Sequence, residues 1–276
     1  MICDHNLIDD VFVIDAHTHV MEKTIPTNPP VKEEWNFTPQ TLIERMDETG
    51  VDMSIIINTG ERTKEENIKQ NNYYAEKAKQ HSNRIAGFIA SCIPPFGEFA
   101  LLEMDRCVKE LSAKGIKLYP FAWGYPVDSE ITYPFIERAI KHKIAIYIHS
   151  DFNSKYNNPY QITRLADIFP DATLIMAHMG YDVDMYPLVP DIVKKYENVI
   201  LETSATMSWP QYVYVKSVKT LGSDRIVFGS DAPPLDMALA LKQVEQAEKL
   251  WGLKKEDKKQ ILGANIAKIL GLQYPH

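Results

Sequence analysis

Five side chains in this sequence are of the right type and spacing to gather around one ion: His17, His19, His149, His178 and Asp231. His17 and His19 stand two apart in FVIDAHTHV, and period-two alternation places both on one face of a strand. In IAIYIHS the isoleucines alternate outward, which leaves Tyr147 and His149 pointing in. The same count predicts Met176 and His178 inward in TLIMAHMG, and Val227, Gly229 and Asp231 inward in RIVFGSDAP, with Gly229 leaving room at the centre. Four of the eight histidines therefore fall at predicted strand ends. Neutral imidazole nitrogens and a carboxylate oxygen suit zinc and related divalent ions, and a catalytic site keeps one position open for water. His17, His19, His149 and Asp231 supply such a shell. The ion lowers the pKa of its bound water from about 15.7 toward about 7, making a hydrolytic nucleophile at neutral pH. Asp231 can then take the water's proton while His178 polarises a carbonyl or steadies the attacking water.

The elements that must position these residues repeat as a short apolar run, a turn and an amphipathic stretch, with no composition break that marks a linker. Strands are predicted at 11–20, 51–58, 84–93, 115–120, 144–150, 173–180, 199–204 and 226–233. No GxGxxG or GxxxxGK[ST] follows any of them, which argues against a doubly wound open sheet. A single (β/α)8 TIM barrel over 1–276 is the expected fold, the reaction centre lying at the C-terminal strand ends. TPQTLIERMDETG reads as a helix capped by Thr38, with Pro39 at its first position and Gly50 as its stop. DSEITYPFIERAIKH reads the same way, and 235–251 and 255–272 read as the closing helices. The proline-rich, charged stretch 21–37, with Trp35 near its end, reads as an active-site flap.

At 45% hydrophobic and 24% charged, the 276 residues can build a large core. The formal net charge of −7 argues against nucleic acid or an anionic membrane as partner and favours a small molecule. MICDHNLIDD carries acids where a signal peptide carries a basic region, and no apolar run is long enough to span a bilayer, so a cytoplasmic location is expected. Cys3, Cys92 and Cys107 form no CxxC pair and read as buried small side chains. His5, His81, His142 and His276 read as solvated.

In order along the chain, IDAHTHV, GIKLYP, YIHSD, AHMG, GSDAP and ILGANIAKILGL resemble the motifs of the amidohydrolase superfamily, in the amidohydrolase-related branch often called family 2. The resemblance covers nearly the whole chain. It implies that His17, His19, His149 and Asp231 bind one divalent metal ion, with zinc expected and manganese the alternative, and that His178 takes part in catalysis. The branch holds amide and lactone hydrolases as well as decarboxylases, and IDAHTHV reads as the hydrolase form. At Lys117, on the fourth strand, other amidohydrolases carry a carbamylated lysine bridging two metals. Here Lys117 is read as a substrate-binding contact for an anion, with carbamylation or a structural hydrogen bond as alternatives.

Asp15 shares the parity of the histidine pair and is read as orienting a ligand. The parity of Glu202, Thr203 and Ser204 is unassigned. Among Tyr119, Phe121, Trp123, Tyr125, Phe152, Tyr156 and Trp209, two or three are expected to touch substrate. The leading expectation is a metal-dependent hydrolase acting on a C–N or C–O bond of a small amide, lactone or carboxylate. The alternative is a nonoxidative metal-dependent decarboxylase of an aromatic or unsaturated acid. A metal-independent lactonase and a non-catalytic barrel rank below both, and a homodimer is expected from the prevalence of two-fold assemblies.

Overall fold

A computed structural model describes residues 11–21, 37–182, 184–205 and 211–275. Eight parallel strands run β1 (Ile14–Thr18), β2 (Met53–Ile57), β3 (Ile85–Ser91), β4 (Gly115–Leu118), β5 (Ala145–His149), β6 (Leu174–Ala177), β7 (Val199–Glu202) and β8 (Ile226–Val227). Each pairs with the next in sequence order. The seam between β8 and β1 closes through backbone bonds from Ala16 N–H to Phe228 (2.9 Å), Asp231 N–H to His17 (2.8 Å) and His19 N–H to Ala232 (2.7 Å). The fold is thus the (β/α)8 barrel expected from the alternation of elements.

Strand residues divide into two apolar layers, because successive side chains face opposite ways. Ile55, Ile57, Ile89, Tyr147, Ile175, Ile200 and Val227 fill the barrel interior, joined by Ile266, Ala267 and Leu270 of the last helix. Ile116, Ile146, Ile148, Leu174, Met176 and Leu201 pack outward against the helices. Met176 therefore points opposite to the expectation from TLIMAHMG. β1 departs from strict alternation as well: its pairing with β2 shifts register between Asp15 and Thr18, as a bulge does. Ile14 and Ala16 belong to the interior cluster, so a period-two count does not carry Asp15 onto the face of the histidine pair.

The helix Pro39–Thr49 begins and ends as its sequence dictates: the Thr38 side chain accepts from Thr41 N–H, and Gly50 turns left-handed at φ 80°. The helix before β5 spans only Tyr133–His142, without a side-chain cap, and stops on Lys143 in the left-handed region at φ 57°. Met237–Trp251 is helical, whereas the stretch after Lys255 is interrupted by a π turn at Gln260–Ala264. That turn presents the Ile261 carbonyl to Phe228 N–H at 2.9 Å, extending the backbone pairing of β8. Of the stretch 21–37, only its two feet fall among the described residues, and Met21 N–H bonds the Phe37 carbonyl at 2.8 Å. The rest of that flap with Trp35, and also Cys3, His5, Trp209 and His276, lie outside the described residues. Cys92 and Cys107 are buried free thiols. His142 is paired with Asp105 at 2.6 Å, not simply solvated as expected. No described helix is long and apolar enough to cross a membrane.

Candidate active site

A cavity of about 850 Å³ opens at the C-terminal ends of the strands, and His17, His19, Lys117, His149, His178 and Asp231 all line it. All six residues singled out in the sequence thus meet in one place. The two histidines at the end of β1, His17 within it and His19 just past it, are held by the ring nitrogen that faces away from the cavity. His19 Nδ1 lies 2.7 Å from the Ile57 carbonyl and His17 Nδ1 2.7 Å from Glu202 Oε2. A carbonyl can only accept, so His19 carries a proton on Nδ1. The two Nε2 atoms then converge on one carboxylate oxygen, Asp231 Oδ1, at 3.0 Å from His19 and 3.6 Å from His17.

Lone pairs from two imidazoles and a carboxylate facing one another repel unless a cation lies among them. Acceptors behind both rings are the usual support of metal-binding histidines. The donor set therefore fits a divalent ion, and the donor atoms of His17, His19 and Asp231 lie within 4.8 Å of one another. His149 lines the cavity without joining that group; its ring stacks on Tyr119 with centroids 4.2 Å apart. Burial, reinforced by the Lys117 charge, holds the His17 and His149 imidazoles well below the ordinary histidine range, which keeps them neutral as ligands must be. Burial pushes the Asp231 carboxyl up, but its neighbours His19, His17 and Lys117 outweigh this and leave it below its usual range.

His178 reaches the cavity by a different route from the one its sequence suggested. β6 ends at Ala177, and His178, Met179, Gly180 and Tyr181 follow in positive-φ conformations that swing the ring inward. The turn is pinned by Ser150, whose Oγ accepts Gly180 N–H at 2.7 Å and donates to the Ala177 carbonyl. Gly180 sits at φ 90°, which a larger residue rarely adopts.

Glu202 is the functional candidate that the sequence reading passed over. Fully buried, it accepts from His17 through Oε2 and from Ser204 N–H through Oε1 at 2.5 Å. Gly229 makes room for it: a Cβ there would press into the Glu202 carboxylate and lie 2.8 Å from His17 Cβ. Asp15 works on the backbone and not on a ring, Oδ1 accepting from both His17 N–H and Ser230 N–H at 3.0 Å. It thereby ties the residue that precedes Asp231 to the first histidine. Burial raises its carboxyl to about 7.

The Lys117 side chain is fully buried and its Nζ has no hydrogen-bond partner among the described residues. Burial draws its pKa down, while Asp231 and Glu202 pull the other way. Among the described members of the aromatic set named above, Tyr119 and Phe121 line the cavity, joined by Tyr74 and Tyr181, which the sequence did not single out.

The sequence profile described as amidohydrolase matches residues 14–272. The chain belongs to the amidohydrolase family. No curated protein sequence matches it. Among solved structures, this amidohydrolase resembles 5-carboxyvanillate decarboxylase from Sphingomonas paucimobilis, with a TM-score of 0.76 and 15% identity over 96% of this chain and 100% of the other. It also resembles 2,6-dihydroxybenzoate decarboxylase from Rhizobium, with a TM-score of 0.76 and 16% identity over 95% and 99% of the two chains. A dihydroxybenzoic acid decarboxylase from a Polaromonas species, solved with bound manganese, gives 0.74 and 18% over 96% and 98%. At these identities the likeness establishes the barrel of the amidohydrolase and leaves its chemistry to be argued from the site.

Proposed function

We propose that this amidohydrolase is a metal-dependent, nonoxidative decarboxylase of an aromatic or unsaturated carboxylic acid. The observation that carries the proposal is Lys117: a fully buried ammonium beside the histidine and aspartate cluster, with no hydrogen-bond partner among the described residues. A buried ammonium whose hydrogens meet no acceptor is costly even with the Asp231 and Glu202 carboxylates nearby, so a site that keeps one is suited to an anionic oxygen from its substrate. Amide and lactone groups bring no such charge; a carboxylate does. Tyr74, Tyr119, Phe121 and Tyr181 line the same cavity and suit a flat, unsaturated body. Sequence alone placed hydrolysis first; the orphaned lysine and the fold shared with decarboxylases, one of them solved with bound manganese, support reversing that order.

His17, His19 and Asp231 would hold one divalent ion, with His149 as a fourth donor, and zinc or manganese would serve. When bound, the ion supplies Lewis-acid stabilisation of the electron-rich oxygens of the reacting acid. Lys117 orients the carboxylate. The bond from carbon to carboxylate breaks, carbon dioxide leaves, the electron pair stays on carbon, and that carbon takes a proton. His178 and Asp231 are the groups placed to hold and move it. Hydrolysis is the second reading, favoured by an Asp231 carboxyl held ionised and able to accept a proton from water. A cytoplasmic homodimer acting on a small molecule completes the proposal.

The test is turnover of hydroxybenzoates, and separately of amides and lactones, by metal-loaded protein in ¹⁸O-labelled water. Carbon dioxide release with no ¹⁸O in the remaining product is the expected result. Turnover confined to amides or lactones, with ¹⁸O retained, would put the hydrolase in its place.

A further inference from the structure

One side chain outside these roles touches both halves of the site. Ser204, fully buried just past β7, has its Oγ 2.7 Å from His178 Nδ1, 2.8 Å from Glu202 Oε2 and 3.3 Å from His17 Nδ1. Glu202 Oε2 is also the partner of His17 Nδ1, at 2.7 Å. The direction of each bond follows from counting protons. The backbone N–H groups of Ser204 and, at 3.4 Å, His178 donate to Glu202, and so does the Ser204 hydroxyl, so as a carboxylate Glu202 accepts from each of them. Ser204 has one hydroxyl proton, and Glu202 takes it. Ser204 can then only accept from His178, which places the His178 ring proton on Nδ1.

We propose that Ser204 is a positioning residue that fixes the tautomer of His178 and, through Glu202, ties it to His17. The run is His178 Nδ1–H to Ser204 Oγ, Ser204 O–H to Glu202 Oε2, and His17 Nδ1–H to the same Oε2. His178 Nε2 then faces the cavity as a bare lone pair, able to take a proton or hydrogen bond from the bound molecule. His17 presents its own Nε2 toward Asp231 for the same reason. One buried carboxylate thus sets the ring polarity of a proposed ligand and of a proposed proton carrier together. The tie also steadies a ring whose backbone sits at φ 67°. The catalytic consequence rests on the role given to His178 above; the tautomer does not.

The experiment uses zinc-loaded protein with ¹⁵N-labelled histidine, reading the protonated nitrogen of His178 by NMR, alongside bound zinc per chain and steady-state kinetics. Wild type is expected to carry the proton on Nδ1. Ser204→Ala is expected to shift His178 toward the Nε2–H form and to lower kcat about tenfold, the scale of one lost hydrogen bond, with KM and bound zinc little changed. Ser204→Thr keeps a hydroxyl and should restore the Nδ1–H form and most of kcat. A wild-type His178 protonated on Nε2, or an unchanged tautomer in Ser204→Ala, overturns the proposal. So does a loss of zinc in Ser204→Ala that parallels the loss of activity, since Ser204 would then act only by holding up His17. If the protein turns over no acid, the tautomer and zinc readings still decide, so failure of the decarboxylase reading is told apart from failure of this one.

Discussion

His178 and Asp231, just beyond the ends of β6 and β8, both adopt left-handed backbone conformations, with φ of 67° and 64°. For residues other than glycine this costs on the order of 1–2 kcal/mol each, and such strain persists where surrounding bonds over-determine it. Ser150 holds the turn that carries His178, and the His17 carbonyl holds Asp231 through its N–H.

Asparagine tolerates the left-handed region, so Asp231→Asn should fold normally and fail at the site. Metal-free protein should melt within ~3 °C of wild type, a change of at most about 1 kcal/mol for a chain of this size. Bound metal per chain, measured by elemental mass spectrometry after purification without chelator, should fall severalfold. Full occupancy in the variant would remove Asp231 from the proposed ligand set.

Lys117→Met replaces a buried ammonium that has no hydrogen-bond partner among the described residues with an apolar side chain of similar length. The melting temperature should hold or rise, because the cost of desolvating the charge disappears. Affinity for 2,6-dihydroxybenzoate, followed by calorimetry on metal-loaded protein, should weaken about 10- to 100-fold, the worth of a hydrogen bond to a charged group. Equal affinity in both proteins would leave Lys117 without a role in anion binding.

Gly229→Ala tests how tightly the centre is packed. Its added methyl would meet Glu202 and lie 2.8 Å from His17 Cβ, so one of them must move. A loss of about 1–3 kcal/mol in denaturant unfolding is expected, accompanied by weaker metal binding. A variant as stable as wild type with full metal would mean the strand has slack there.

Glu103 governs an acid-sensitive network behind the cavity wall. Arg106 meets it with bonds of 2.7 and 2.8 Å, and Asn71 at 3.0 Å; Asn71 in turn accepts from Asn58, which lines the cavity. Burial pushes this carboxyl up, but the bonds from Arg106 and Asn71 outweigh it and lower its pKa in the folded chain. A lowered folded pKa contributes stability that is complete above the unfolded value, near 4.5, and is lost as pH falls through the folded one. Urea unfolding at pH 7 and pH 3.5 should show wild type losing stability with acid, while Glu103→Gln starts about 1–3 kcal/mol lower and loses less. Equal acid losses in both proteins would place the sensitivity elsewhere.

The alternation of apolar runs with amphipathic stretches was enough to place all eight strands, because βα units leave the same imprint each time. Side-chain direction was legible where a strand stays regular up to the site: Tyr147 and His149 on β5 lie as counted. It failed where the backbone departs from the pleat. The register shift in β1 turns Asp15 to the backbone, and the left-handed turn after Ala177 delivers His178 although Met176 points outward. Glu202 was within reach of the same counting, since Ile200 faces the barrel interior and Leu201 faces out. Ser204 was not, because its contacts with His17, His178 and Glu202 exist only once the ends of β1, β6 and β7 are gathered around the barrel.

The seam between β1 and β8 gives the site a place in time. His19 and Asp231 meet across 212 positions of chain, and two of the three backbone bonds that close the seam involve His17, His19 and Asp231 themselves. On the ribosome, the first seven strands can emerge and begin to pack while the histidine pair still lacks its carboxylate. Only when the final strand docks do the proposed donors converge, so capture of an ion by that set would coincide with completion of the barrel, and a chain cut before β8 would lack the Asp231 donor.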